Sequence, residues 1–264
     1  MIVRTSLARA FVVVGLASGG LACASSPDPA ELAAEPPSAE ELYRKGLELR
    51  EGRRILFWRH VNYQAAIDAF QEVVDNYPYS EYAVLAELAI ADAYFDDERY
   101  EEALSYYQDF PELHPNHERV PYTMLRAALC HYERTRDPSR DQRPTRDAIA
   151  QLDKLMSAFP YAPEAERAEA LWRELRSRLG ESVMRIADFY MEREEWQSAA
   201  DRYRSVLNEF PGLGLDAQAL YKLGVCYQRM NLEDEAARIF QVILENYEGT
   251  DVADAAADLI PAAN

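Results

Sequence analysis

Basic charge is scarce in this chain of 264 residues: 28 lysines and arginines stand against 46 aspartates and glutamates, a formal net charge of −18 at pH 7. A polyanion of this kind repels nucleic acid and anionic lipid, so neither is expected as a partner. Long apolar runs are missing too. The one charge-free stretch, Phe11 to Leu21, falls short of the roughly 20 residues a spanning helix needs, so no transmembrane helix is predicted. Disorder throughout is excluded by composition, because 48% hydrophobic and 28% charged residues suit a soluble chain with a sizeable core.

Catalytic signatures are also absent. There is no Walker loop, no G-x-S-x-G and no HExxH. The sequence His114-Pro115-Asn116-His117 offers two imidazoles, but Pro115 breaks any helix that would align them, and metal binding is not expected. "GLGLDA", Gly212 to Ala217, formally fits a dinucleotide fingerprint, yet it follows a helix and Pro211 rather than a strand. "DPSRD" lacks the glycine and terminal glutamate of a calcium loop. Carboxylates such as Glu192, Glu194 and Glu195 read as solvated helix faces. The expectation is a protein that is not an enzyme and carries no metal or cofactor.

Cysteine is rare, with 3 residues, and the position of the first is informative. The opening "MIVRTSLARAFVVVGLASGGLACA" has a basic segment (Arg4, Arg9), an apolar segment around Phe11 to Leu16, then small residues, which is a secretory signal. Two cleavage readings compete. Ala22-Cys23-Ala24 fits a small-x-small site cut before Ser25, whereas "GLAC" resembles a bacterial lipobox cut before a lipid-modified Cys23, with Gly20 where lipoboxes usually carry leucine. The lipobox is favoured, because a Pro/Ala/Ser-rich tract follows that suits a flexible tether. Several acyl chains at about 0.8 kcal/mol per buried CH₂ would hold such a chain to a membrane firmly. Ala24, rather than aspartate, resembles lipoproteins sent to the outer membrane. Cys130 and Cys226 lie in non-adjacent repeats, too far apart for a disulfide, and read as buried small hydrophobes.

What the chain does contain is a repeat. Five segments share an alanine, a large ring or leucine four residues later, and an aromatic or histidine eleven residues after the alanine, usually before proline. They are Ala66/Phe70/Tyr77, Ala103/Tyr107/His114, Ala148/Leu152/Phe159, Ala199/Tyr203/Phe210 and Ala236/Phe240/Tyr247. Leu223-Gly224 with Tyr227 completes the tetratricopeptide pattern in the fifth copy. Small residues at Ala91, Ala187 and Gly224 let paired helices approach, rings fill the gaps, and proline ends each second helix. The expected fold is all-α: a right-handed α-solenoid of about five tetratricopeptide helix hairpins with a C-terminal capping helix. The boundaries are a signal peptide at 1–22, a tether at 23–38 and a solenoid at 39–264. Repeats fall at about 39–78, 79–115, 119–160, 163–211 and 214–248, with the cap at 250–260 starting from Thr250.

The repeat alanines lie 37, 45, 51 and 37 residues apart, against a unit of about 34, so extra length enters at definite places. One insertion is the basic-aromatic "RRILFWRH", Arg53 to His60; another is the charged loop "RTRDPSRDQRP"; a third makes one long helix from Pro163, able to bend at Gly180. The stretch from Asp141 to Met230, with its charged loop, long helix and "ADFYMEREEWQSAADRY", resembles the BamD family of outer-membrane lipoproteins of the β-barrel assembly machinery. The similarity extends to "SAEELYRKGLELREG" and "AIDAFQEVVDNYPYSEYA". It implies an adaptor that is anchored to the outer membrane through Cys23 alone and faces the periplasm. Its implied partners are a BamA-like barrel-forming subunit, other lipoproteins of the machinery and unfolded outer-membrane β-barrel proteins. In that family C-terminal repeats are linked to BamA and N-terminal ones to substrate. Candidate docking residues are therefore Arg173, Arg176, Arg178 and Arg185, against a plainer reading as a solvated face with i,i+4 pairs. Candidate client-binding residues are Arg53, Arg54, Phe57, Trp58 and Arg59, whose plainer role is to cover the end of the first repeat. A secretin pilotin and a general cell-envelope tetratricopeptide scaffold stay open as alternatives.

Overall fold

The structure, a computed structural model, describes residues 36–55, 58–135 and 141–260, and the side chains of 53–59 are outside that description. The signal peptide, Cys23 and most of the tether lie outside the described residues, as do Phe57 and part of the charged loop. The chain divides into Met1–Pro37 and Ser38–Asn264, and every described element belongs to the second unit.

Eleven helices are formed among the described residues. They are α1 (Ala39–Glu51), α2 (Tyr63–Asn76), α3 (Glu81–Asp96), α4 (Tyr100–Leu113), α5 (Val120–Glu133), α6 (Arg143–Ala158), α7 (Pro163–Glu192), α8 (Trp196–Glu209), α9 (Asp216–Arg229), α10 (Glu233–Asn246) and α11 (Asp251–Ala257). Each packs on the next in chain order, so α1–α2 through α9–α10 form five hairpins and α11 closes the last. This is a helical tetratricopeptide solenoid.

The reason these residues form hairpins is visible in their burial. The repeat alanines and the rings or leucine four residues on are at most 1% exposed: Ala66 with Phe70, Ala103 with Tyr107, Ala148 with Leu152, Ala199 with Tyr203, Ala236 with Phe240. Opposite each of four rings, the first helix of the hairpin carries a residue with little or no side chain. A Cβ built on Gly224 would lie 2.5 Å from Phe240 Cε1, and one on Gly46 would meet the Phe70 ring. Ala91 and Ala187 hold the corresponding positions and share apolar clusters with Tyr107 and Tyr203. Gly180 has a packing role as well: α7 runs unbroken through it, and a Cβ there would lie 2.5 Å from Leu215 Cδ1.

The ends are equally local. Tyr77, His114, Phe159, Phe210 and Tyr247 each cap a second helix, giving their backbone N–H to the carbonyl four residues back. Proline follows the first four of these caps, where no helical N–H is needed. Ser38 and Glu41 make a reciprocal capping box at α1, and Thr250 accepts from the Ala253 N–H to start α11. Between first and second helices the chain turns through Glu98, Glu194 and Asn231, all with φ near +60°. Glu194 and Glu195 thus sit in a turn rather than on a helix face, a correction to the expectation from sequence.

The first-repeat insertion departs from the helical pattern. After Gly52, with φ 72°, strands β1 (Arg53–Ile55) and β2 (Trp58–His60) pair antiparallel, with Arg53 opposite His60, Arg54 opposite Arg59 and Ile55 opposite Trp58. A run of bulky apolar residues rich in β-formers, Ile55 to Trp58 between arginines, favours extended backbone over a further helical turn.

Cys130 and Cys226 are free and fully buried. Burial pushes their thiols up to about 12 and about 11. A raised thiol keeps its stabilising neutral form below its ordinary value, and that contribution is lost as pH climbs toward the folded value. In a chain carrying Cys23→Ser, both thiols should resist maleimide at pH 8 and react fully in guanidinium; fast native labelling would show that the core is open there.

Gly224→Ala is expected to cost about 1–3 kcal/mol in urea denaturation through overpacking against Phe240, although the same change on an exposed helix gains about 1 kcal/mol. Adding Phe240→Leu should recover much of the loss. An additive double mutant would show that the two residues are not coupled.

Candidate functional site

Two polar joints tie neighbouring repeats together. In the first, the Asp92 carboxylate on α3 accepts from the Tyr107 hydroxyl at 2.5 Å and the Tyr122 hydroxyl at 2.7 Å. Arg126 on α5 lies 3.6 Å from that carboxylate, donates to the Tyr107 oxygen at 2.9 Å and stacks 3.7 Å from the Phe95 ring centre. Arg50 on α1 reaches Asp92 at 3.5 Å and Asp96 at 2.8 Å. Three successive first helices therefore converge on two carboxylates. The second joint repeats the construction at the same spacings. Asp188 on α7 accepts from Tyr203 at 2.5 Å and from Lys222 on α9 at 2.6 Å. In each joint the tyrosine stands fifteen residues after the aspartate and the base thirty-four.

The phenols in these joints are held as donors. Burial, reinforced by the Asp92 charge, raises Tyr107 far above the ordinary tyrosine value. Burial and the hydrogen bond to Asp188 do the same for Tyr203. Short bonds from neutral hydroxyl to carboxylate are the expected result. No acid–base chemistry follows from the arrangement; it fixes the angle between repeats.

A different surface lies where α7 exceeds the length of a repeat helix. The second helices α6 and α8 flank a cleft of about 410 Å³. Its apolar floor includes Ile149, Leu179, Val183 and Ile186; three guanidinium groups, Arg146, Arg176 and Arg202, line it together with two acidic residues, Asp153 and Glu209, which leaves an excess of one positive charge. Ile186 and Phe189, on the outer face of α7, are 42% and 49% exposed. Arg176 stacks against Trp172 at 5.1 Å and Phe210 at 5.0 Å, and donates to the Glu209 carbonyl, but its Nε is buried without a partner. Such an unpartnered buried donor carries a desolvation cost.

The four docking candidates named from sequence separate here. Arg176 enters the cleft. Arg173 pairs with Glu169 at 2.7 Å and Arg178 with Glu174 at 2.6 Å, the i,i+4 arrangement of the plainer reading. Arg178 also donates to Tyr132 on α5 and to Thr135 just beyond its end, joining the third repeat to the fourth. Arg185 is exposed on α7 and does not line the cleft. Arg146 and Arg202 escaped the sequence reading because they sit on second helices, next to repeat alanines that were read only as packing. Neither makes an ion pair with a described residue.

Of the client-binding candidates, the backbone register brings Arg54 opposite Arg59 and Ile55 opposite Trp58, with Arg53 beside them. Phe57 lies outside the described residues. His114 bonds to Glu87 at 2.7 Å and stacks on Phe110, and no group of metal-ligating side chains occurs among the described residues. No described helix is long and apolar enough to cross a membrane.

Comparison with known proteins adds a family. The family model described as YfiO, outer membrane lipoprotein, matches residues 38–257. Three curated relatives carry the name outer membrane protein assembly factor BamD. One from Caulobacter vibrioides is 27% identical, covering 93% of this chain and 77% of its own. One from Vibrio cholerae is 27% identical over 85% of this chain and 92% of its own, and one from Rickettsia prowazekii 28% over 92% of each.

Asp92→Asn would leave Arg126 and Arg50 without their shared charge in a site only 15% exposed. It should cost about 3 kcal/mol. Asp188→Asn, at a carboxylate that is 37% exposed, should cost clearly less. Equal losses on chemical denaturation would show that burial does not set the strength of these joints.

Proposed function

Because the chain belongs to the YfiO family of outer membrane lipoproteins, we propose that it is a non-catalytic adaptor of the machinery that assembles β-barrel proteins in the outer membrane. The observation that carries this reading is the family match over nearly the whole solenoid, joined to relatives named as assembly factors across 85–93% of this chain. Those names favour it over a secretin pilotin. In this reading Cys23 bears the lipid, the solenoid faces the periplasm, and the protein has no catalytic residue.

The docking surface for a BamA-like barrel-forming subunit is the cleft between α6 and α8. Its guanidinium groups and apolar floor suit a partner surface with carboxylates around apolar side chains, Arg146 and Arg202 being exposed there. Arg173, Arg178 and Arg185 do not line this cleft, and any part they take in docking is through charge that steers the encounter more than it holds the complex. Unfolded barrel clients engage the first repeats, with Arg53, Arg54, Phe57, Trp58 and Arg59 offering charge and rings to extended apolar segments. Other lipoproteins of the machinery complete the assembly.

Charge reversal at Arg146 and Arg202, both exposed, should leave the melting temperature unchanged and reduce co-purification of the barrel-forming subunit at least tenfold; truncation after Pro160 should abolish that co-purification. Undiminished recovery with the double reversal would move the docking site elsewhere. Cys23→Ala should abolish palmitate incorporation and release the chain from the membrane fraction. Arg53→Ala with Arg54→Ala should weaken binding of a C-terminal barrel peptide about tenfold, since a hydrogen bond to a charged group is worth about 1.5–3 kcal/mol; unchanged affinity at low salt would return the hairpin to a covering role.

A further inference from the structure

A second cleft lies between α2, α3 and α4, the same position in the repeat pattern as the arginine-lined cleft between α6, α7 and α8, but with the opposite charge. It measures about 180 Å³. Val74, Ile90, Phe110 and Leu113 form its wall, and Glu87 and Asp109 stand at its rim. An apolar cavity of about 150 Å³ accepts a benzene ring, so there is room for one leucine- or phenylalanine-sized side chain. Ile90 and Phe110 are 0% and 3% exposed and form a rigid floor, whereas Leu113 is left 65% exposed at the mouth.

The charge around this cleft is one-sided. From Val61 to Glu118 the chain has a single lysine or arginine, Arg99. That guanidinium is engaged by Glu102 at 2.9 Å, by Gln64 at 3.1 Å and by the Tyr94 ring. Glu87 shares a bond with His114, and Asp109 has no partner among the described residues. The Tyr106 hydroxyl, which also lines the cleft, is raised above its ordinary value first by burial and then by Tyr94, Asp75, Glu87 and Asp109, with no cation among the causes.

We propose that this cleft binds a peptide segment of another protein that presents one large apolar side chain flanked by lysine or arginine. The apolar wall takes the side chain, and Glu87 and Asp109 pair with the flanking cations. The site is separate from the arginine-lined cleft and selects for opposite charge, so one adaptor can hold two partners at once without competition between them. Rim carboxylates in an acidic field also speed the encounter with a basic segment and make it salt-dependent.

The test uses the full-length chain and a fluorescein-labelled twelve-residue peptide carrying a central leucine between two lysine pairs, read by fluorescence anisotropy at low salt. Glu87→Gln with Asp109→Asn should weaken binding at least tenfold, Asp109→Asn alone about threefold, and replacing the peptide's leucine by serine at least tenfold. A control with the same loss of charge, Glu233→Gln with Asp234→Asn at the start of α10, should bind as wild type. If the control weakens binding as much as the rim variant, the peptide is held by diffuse attraction to a polyanion and the proposal falls. It falls equally if the serine peptide binds as well as the leucine peptide, or if the wild-type chain does not bind the leucine peptide. The single Asp109→Asn variant guards against misfolding, because Asp109 makes no bond that the fold needs.

Discussion

The contact between a residue with almost no side chain on one helix and a ring on the next governs this molecule. At Gly46 and Phe70, Ala91 and Tyr107, Ala187 and Tyr203, Gly224 and Phe240, the closeness of two backbones is set by the absence of a branch on one side and filled by the ring on the other. Two versions exist. Where the ring is phenylalanine, glycine faces it and the residue after the glycine is apolar, Leu47 or Val225. Where it is tyrosine, alanine faces it and the next residue is aspartate, so the hydroxyl that passes the alanine ends on a carboxylate. Local packing thereby becomes a polar joint to the following repeat, because the same carboxylate receives Arg126 or Lys222.

Much of this was legible in the chain. Rings, alanines and prolines recur at intervals that only a helix hairpin explains, and the cap at Thr250 follows from ordinary capping chemistry. The joints were not legible, because the aspartate, the tyrosine fifteen residues on and the base thirty-four on recur in just two of the units, and Asp92 looks like any exposed acid in a chain rich in them. Glu194 was misread for a related reason. Its type suits a helix, and only the backbone shows that the turn from first to second helix needs a positive φ there. The insertion after Gly52 was recognised as additional to the repeat, yet its strands depend on pairing between segments too short to announce themselves. In the candidate site, Arg176 was found and its two companions missed, since a residue beside a repeat alanine is read for packing before it is read for charge.

The distribution of charge carries more meaning than its sum. A value of −18 describes a chain that keeps away from polyanions, but the two equivalent clefts differ in sign within one solenoid. The cationic one is lined by α6, the lengthened α7 and α8. The anionic one needs no added length; it arises from the near absence of lysine and arginine from α2 to α4. Family membership speaks for assembly work at the outer membrane, and a scaffold for assembly gains from surfaces that cannot be mistaken for each other.

Solenoid repeats are often treated as interchangeable bricks, and the joints at Asp92 and Asp188 show where that picture fails. A hairpin of the tyrosine kind exports half of a bond: its aspartate, held by its own tyrosine, also takes a cation that the next hairpin brings thirty-four residues on. The second and fourth units could trade places, since each is followed by such a cation, whereas putting the fifth unit directly after another fifth unit would present Val225 to a side chain looking for a charge. The order of the units is thus written into their chemistry, and a grammar of adjacency limits how this solenoid can be cut, lengthened or recombined.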